Sequence, residues 1–392
     1  MKIFFCHAFS ENSPKDAYMK NWVENWLQRL RLSGSDIQSF VTGLNYPGRR
    51  LPWNELNARW KRGDRILMKM YEDIAIKSEN YDVLINFGGV NLHPDFISLL
   101  NMVTVWNFYD DPESSKGFSR EMAAAYDISA VGNIAELDTY KSWGCKNVIW
   151  APTGFRHDDF EPNKTKEKLF TQLRDIDITL LCERITHFRR AKVDKYAISF
   201  PQGIYRGKGW PEGFLPEKDR VPLLQRTKIG INIHNSTGPI NFRTFYLPAN
   251  GVLQICDNKS HLGKIFKLGE EVIGFDTIEE AIEKTKYYLA HEDERIKIAQ
   301  KAYDKVISLY NEQACFKLIT DAVQDFLNNK TLKKNHNVVQ FIEEHKENTK
   351  KEQLKYQSLY PIIEGGKFIK RATKGIYNRL LRFKDNIRLY LK

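Results

Sequence analysis

Residues 229–256 read IGINIHNSTGPINFRTFYLPANGVLQIC. The apolar run at the front predicts a buried strand, the polar stretch 234–244 a loop that opens a helix, and 252–255 the next strand. A strand's carboxyl end facing a helix amino end presents free N–H groups and the positive end of the helix dipole, which suits an anion. The segment therefore points to a phosphate-bearing ligand, and its strand-loop-helix-strand order points to an α/β sheet with parallel strands.

The same alternation extends in both directions. In the second half the spacing predicts strands at 177–182, 196–200, 229–233, 252–255 and 272–274 with helices between, and a charged amphipathic helix over 291–309. In the first half a strand at 2–6 precedes a helix at 16–32 carrying Trp22, Trp26, Leu27 and Leu30 on one side. A Gly/Pro-rich loop at 43–54 and a helix at 63–78 follow, then a run at 81–87 with the length and β-branching of a fully buried strand, closed by Gly88 and Gly89. His93-Pro94-Asp95 opens a helix with proline where a first turn tolerates it. The strand 102–106 delivers Asp110-Asp111-Pro112, a helix is expected at 118–125, and strands at 128–131 and 147–150 complete the half. The turn-rich stretch 151–163 has the composition of a linker. The expected fold is α/β: two Rossmann-like, doubly wound domains facing a central cleft. Their expected bounds are 1–155 and 166–330, joined by a linker at 156–165 and followed by a polar linker and helical tail over 331–392.

Bulk properties agree. A chain of 392 residues exceeds one ordinary core, and 42% hydrophobic with 12% aromatic content is enough to fill two. The five cysteines stand singly, with no C-x-x-C pair, so neither a disulfide framework nor a zinc site is indicated and a reducing cytoplasm is expected. The first apolar run is shorter than the core of a signal peptide, and no stretch of about 18 apolar residues predicts a membrane-spanning helix.

The net charge of +11 is concentrated. Residues 367–392 hold nine Lys or Arg against Asp385 alone, and within them Ile369, Ile376, Leu380, Phe383, Ile387 and Tyr390 recur at helical spacing. This tail is expected to be a basic amphipathic helix on an anionic membrane surface, the competing account being that it docks on protein. The body, left nearly balanced, lacks the distributed basic groove of a nucleic-acid binder, so no nucleic-acid partner is expected.

With the segments in order, the chain resembles the CgeB-like glycosyltransferases over about residues 80–325. The first half carries the resemblance in Tyr81-Asp82-Val83-Leu84-Ile85, Trp106 followed by Asp110-Asp111-Pro112, Trp143-Gly144-Cys145-Lys146-Asn147-Val148 and Ala151-Pro152-Thr153-Gly154. The second half carries it in Asp177-Ile178-Thr179-Leu180-Leu181, Tyr205-Arg206-Gly207-Lys208-Gly209-Trp210, Asn241-Phe242-Arg243-Thr244-Phe245 and Gly269-Glu270-Glu271-Val272. The resemblance implies the GT-B architecture with a nucleotide-sugar in the cleft. Where that family shows R-x-F-E, this chain has Arg243-Thr244-Phe245-Tyr246, and tyrosine supplies no charged bidentate acceptor for donor hydroxyls.

Transfer from such a donor leaves a diphosphate, whose growing charge helix ends, Arg and Lys can stabilise without a metal. No metal or other cofactor is therefore expected, and the nucleotide-sugar is the substrate. The donor-binding set is His234, Asn235, Asn241, Arg243, Thr244 and Tyr246 on the loop and helix, with Arg184 and Arg189 after the first strand of the second domain and Gly207 and Lys208 in the glycine loop. Asp110 and Asp111 are the candidate catalytic bases, with helix capping as the bland alternative for either. Asp175-Ile176-Asp177 looks like a metal-binding D-x-D, but it lies at a strand's amino end, away from where ligands of such sheets bind. The expected function is transfer of a sugar to a cell-surface glycan or lipid-linked acceptor at the inner face of the membrane. The alternative is an inert GT-B-like scaffold that binds glycan or nucleotide without turnover.

Overall fold

A computed structural model describes residues 1–9, 14–42, 50–329, 336–350 and 354. The basic amphipathic helix expected over 367–392 lies outside the described residues.

The chain divides into two compact units, of which the first comprises Met1–Trp53 with Lys77–His336 and contains two parallel sheets. The strands β1 Lys2–His7, β2 Asp36–Val41, β3 Val83–Phe87, β4 Val103–Phe108, β5 Ile128–Val131 and β6 Val148–Trp150 form one sheet in the order β2-β1-β3-β4-β5-β6. The strands β7 Ile176–Arg184, β8 Ile204–Lys208, β9 Thr227–Asn232, β10 Leu253–Cys256 and β11 Ile273–Gly274 form the other in the order β11-β10-β9-β7-β8. Each sheet reverses its winding once, between β1 and β3 and between β7 and β9. In doubly wound sheets ligands bind in the crevice at the carboxyl ends of the strands at such a reversal.

Central position explains the largely apolar runs. β3 and β4 are buried along their whole length, covered on both faces as parallel strands must be. The helix Pro14–Leu32 lays Trp22, Val23, Trp26, Leu27 and Leu30 on the first sheet at three- and four-residue spacing, against Ile3, Phe5, Val83 and Ile85. Each such side chain contributes about 1.5–3 kcal/mol on burial.

Three features depart from the sequence expectation. Residues 190–199 form a helix, Arg190–Ser199, where a strand was expected at 196–200; Val193 and Tyr196, three apart, are a helical face buried on the second core, and the strand follows as β8. β2 went unrecognised because it is an edge strand in which only Ile37 is buried. The helix Glu312–Asn329, placed by sequence in the second domain, sends Phe316, Ile319 and Val323 into the core of the first sheet. The chain thus crosses between the sheets twice, and the crossings touch: Phe155 N–H donates to the Tyr310 carbonyl at 2.9 Å.

The second unit comprises Asn54–Ile76 and the chain from Asn337. It packs the helix Arg65–Lys77 and residues 54–61 with a helix over 338–350, where Trp60 stacks on His345 at 4.2 Å between ring centroids and Ile342 is fully buried.

Candidate functional site: a cationic switch point

The carboxyl ends of β7 and β9 bring together Thr186, Arg189, Asn235 and Arg243. Thr186, just past β7, donates its hydroxyl hydrogen to Asn235 Oδ1, just past β9, at 2.5 Å. Arg189 Nη1 donates to the Ile233 carbonyl at 2.6 Å. Arg243, first residue of the helix Arg243–Ala249, sends Nε to Asn232 Oδ1 at 3.0 Å and Nη1 to the Leu181 carbonyl at 2.9 Å. Arg189 and Arg243 are 6% and 9% exposed, and burial together with the charge of Arg243 lowers the Arg189 guanidinium to about 10. Arg189 therefore stays charged at neutral pH, in a poorly solvated crevice that it shares with Arg243. The neighbouring charge of Arg243 opposes that of Arg189, and the Asp257 and Glu113 carboxylates offset part of this cost.

The strand-end amide of Asn232 organises the helix start. Its Nδ2 donates to Gln254 Oε1 at 3.0 Å and to Thr244 Oγ1 at 3.2 Å, while its Oδ1 also accepts from Asn241 Nδ2 at 3.0 Å. Thr244 is fully buried, so it acts within the protein, holding the amide that holds Arg243. His234 is likewise inward. Its Nε2 accepts from Ile240 N–H at 3.3 Å, so Nδ1 carries the hydrogen and donates to Asp257 Oδ1 at 2.6 Å. Asp257 Oδ2 also accepts from the His234 backbone N–H at 2.8 Å. His234, Cys256 and Asp257 are the group of metal-ligand type among the described residues, and both ring nitrogens are engaged in fixing the 234–240 loop.

The remaining donor-side candidates lie around this centre. Arg184 ends β7, opposite Lys208 of β8; its side chain is outside the described residues. Lys208 is exposed, and Gly207 is pressed against the backbone of β7. Tyr246, one turn beyond Arg243, is buried with the Arg220 guanidinium 5.8 Å from its ring centroid. Asp175 and Asp177 sit at the opposite end of the sheet, paired with Arg226 and Lys228 at 2.8 and 2.7 Å.

On the first domain, Asp110 is exposed and paired with Arg50 at 2.5 Å, while Asp111 is 1% exposed and accepts from the Tyr140 hydroxyl at 2.6 Å. Burial raises the Asp111 carboxyl to about 6, against the opposing pull of its hydrogen bonds. The two halves meet at Thr237 of the donor-side loop. Asn133 Nδ2 donates to the Asp111 carbonyl and to Thr237 Oγ1, each at 3.0 Å, and Thr237 donates to Glu136 Oε1 at 2.8 Å. Ser236 adds a bond to Glu113 at 2.6 Å.

Sequence reasoning passed over Asn232, Thr237, Asp257 and a buried ion cluster formed by Arg156, Asp159 and Arg220. Only Asn232 had a local signal, as a polar residue closing an apolar strand. Thr237, Asp257 and Arg220 are joined to their partners across 23 to 104 positions of chain, which no local pattern reveals.

Comparison with known proteins bears on the fold. Residues 167–319 match the family model described as "Glycosyl transferase-like". No curated protein sequence matches the chain. Among solved structures, sucrose-phosphate synthase from Thermosynechococcus elongatus is similar with a TM-score of 0.60 and 12% identity, over 84% of this chain and 100% of that one. A glycosyltransferase from Rickettsia africae matches with a TM-score of 0.56 and 16% identity over 84% and 99% of the two chains. Anabaena HepE, solved with UDP and with UDP-glucose, matches with a TM-score of 0.54 and 12% identity over 83% and 100%. The fold is that of GT-B glycosyltransferases, and the second domain is the part that is glycosyl-transferase-like in sequence.

Proposed function

We propose that this chain, with its GT-B frame and glycosyl-transferase-like second domain, is a glycosyltransferase that moves a sugar from a nucleoside-diphosphate donor to a hydroxyl acceptor. The observation that carries the reading is the Arg189 and Arg243 pair at the β7/β9 crevice. Arg243 donates to an amide oxygen and a carbonyl oxygen, which orient the guanidinium without cancelling its charge. As the bond between sugar and diphosphate breaks, negative charge grows on the leaving oxygen, and preorganised cations and loop N–H groups stabilise it there. On this reading no divalent ion is needed.

Asp111 is the proposed base. A carboxyl raised to about 6 is ionised at neutral pH yet basic enough to take the acceptor hydroxyl's proton as the new bond forms. Asp110, held by Arg50, orients the loop. The complexes of Anabaena HepE with UDP and UDP-glucose make uridine diphosphate the first leaving group to test. The finer reading is a CgeB-like enzyme, peripheral on the inner face of the cell membrane, with a cell-surface glycan or lipid-linked acceptor. It rests on the sequence motifs and on the basic segment 367–392.

A second reading, an inert scaffold, is favoured by Tyr246, a buried phenol where the resembling family carries a carboxylate. Nucleotide release from UDP-, GDP-, CDP- and dTDP-sugars separates the two. Turnover of any donor supports the enzyme, binding without turnover supports the scaffold, and binding of none overturns both.

A further inference from the structure

A groove of about 520 Å³ runs beside the helix Glu217–Gln225, with Tyr18 of the first domain in its lining and neither Arg189 nor Arg243. Its volume lies in the range of small-molecule sites. Asp158, Glu161 and Glu217 line it together with Lys164, Lys218 and Arg220, three acids and three bases. So balanced a wall gives no net attraction to an anion or a cation; Lys164, Arg220 and Glu217 are bonded within the protein, yet charged donors and acceptors of both signs line the groove. Tyr18, 38% exposed, and Phe160 add aromatic surface. Charged hydrogen-bonding groups of both signs beside exposed rings suit a neutral polyhydroxylated ring, whose hydroxyls both donate and accept and whose C–H faces pack on aromatics.

The groove is built on a fixed base. Asp159, fully buried, accepts from Arg156 Nη2 at 2.9 Å and Arg220 Nη2 at 2.6 Å. Arg220 also pairs with Glu217, and Arg156 Nη1 donates to the Tyr18 hydroxyl at 3.4 Å. Burying such a cluster costs desolvation that its internal attractions repay only in part, so it is poor evidence of stabilisation. What it does achieve is to hold Arg220, Glu217 and Tyr18 in one geometry at the groove's edge. The same cluster abuts the donor-side helix: Arg156 lies 5.1 Å from the Phe242 ring centroid and Arg220 5.8 Å from that of Tyr246.

We infer that this groove binds a neutral saccharide. On the transferase reading that saccharide is the acceptor, and this last step rests on that reading; the binding itself does not. The test is saturation-transfer NMR and calorimetry on the full chain with neutral methyl hexosides and their disaccharides, alongside UDP. At least one saccharide is expected to bind, and Tyr18→Ala and Glu217→Gln are each expected to weaken it about tenfold or more with UDP affinity and melting temperature unchanged. Lys218→Ala, at an exposed position, serves as the second variant should Glu217→Gln perturb folding. Binding of no saccharide, or binding that none of these substitutions alters, overturns the inference. So does loss of UDP binding in Tyr18→Ala, which would make the groove part of a nucleotide site. If saccharides bind as expected while wild-type protein binds no nucleotide, the groove stands and the transferase reading fails.

Discussion

Arg243 and Asn232 are locked together across the start of a helix: Arg243 Nε donates to Asn232 Oδ1 at 3.0 Å while its Nη1 reaches the Leu181 carbonyl on the neighbouring strand. One guanidinium therefore spans β7 and β9 at the winding reversal, with its orientation set by oxygens that carry no charge. The cation is placed, but not neutralised, where a diphosphate is expected.

From this it follows that Arg243→Ala should weaken UDP binding by at least about tenfold while shifting the melting temperature little, because Asn232 keeps its bonds to Asn241, Thr244 and Gln254. Asn232→Leu should do the reverse in proportion, costing about 1–3 kcal/mol of stability through stranded polar partners. Calorimetry with UDP and thermal melts check both; equal UDP affinity in Arg243→Ala would make the arginine purely structural.

Asp111 gives a pH signature. Its carboxyl is raised from 3.8 to about 6, chiefly by burial. A raised acid favours folding while protonated, so its contribution is fully present below its unfolded value and is lost as pH rises through about 6. Ionised in the fold, it costs up to roughly 3 kcal/mol. Asp111→Asn should therefore gain melting temperature relative to wild type at about pH 7.5 and lose that advantage near pH 4. If Asp111 is the base, the same variant loses transfer at every pH, and wild-type transfer climbs through pH 6 before levelling.

The second crossing between the domains hangs on Glu312. Its Oε1 accepts from Arg29 Nε at 2.6 Å, and its Oε2 accepts from His157 N–H at 3.4 Å. Glu312→Ala leaves the largely buried Arg29 without this partner and should cost about 2–4 kcal/mol, somewhat under the range for a fully buried pair because Arg29 retains some solvent. Denaturant titration reads the loss directly.

Gly207 has φ +135°, and a Cβ there would lie 1.9 Å from the Cys182 carbonyl oxygen. Both the conformation and the approach exclude a side chain, and β7 and β8 shift register at this point. Gly207→Ala should cost about 3 kcal/mol or more and lower soluble yield, whereas Gly144→Ala, with a positive φ but open space around it, should cost less. Comparative melts of the two variants isolate the steric part.

The alternation of strands and helices was legible in the sequence alone, because fully buried parallel strands are written as largely apolar runs such as Val83–Phe87 and Ile229–Ile233. The sequence also determined that a polar loop and Arg243 follow a strand's carboxyl end. It could not show that 190–199 is helical, since a short apolar stretch fits either period until the core it faces is known. Nor could it place Glu312–Asn329 on the first sheet, which depends on where the chain turns back at Tyr310. Tertiary structure alone decided which candidates share a site. Arg189 meets Arg243 because β7 and β9 are neighbours at the winding reversal, and Asp111 is linked to the donor loop through Asn133 and Thr237. Thr244 and His234 turn inward because their hydrogen-bond partners, Asn232 and Asp257, sit on adjacent strand ends. Strand order and burial are properties of the assembled sheets, set by contacts between residues far apart in the chain, and no local pattern of residues encodes them.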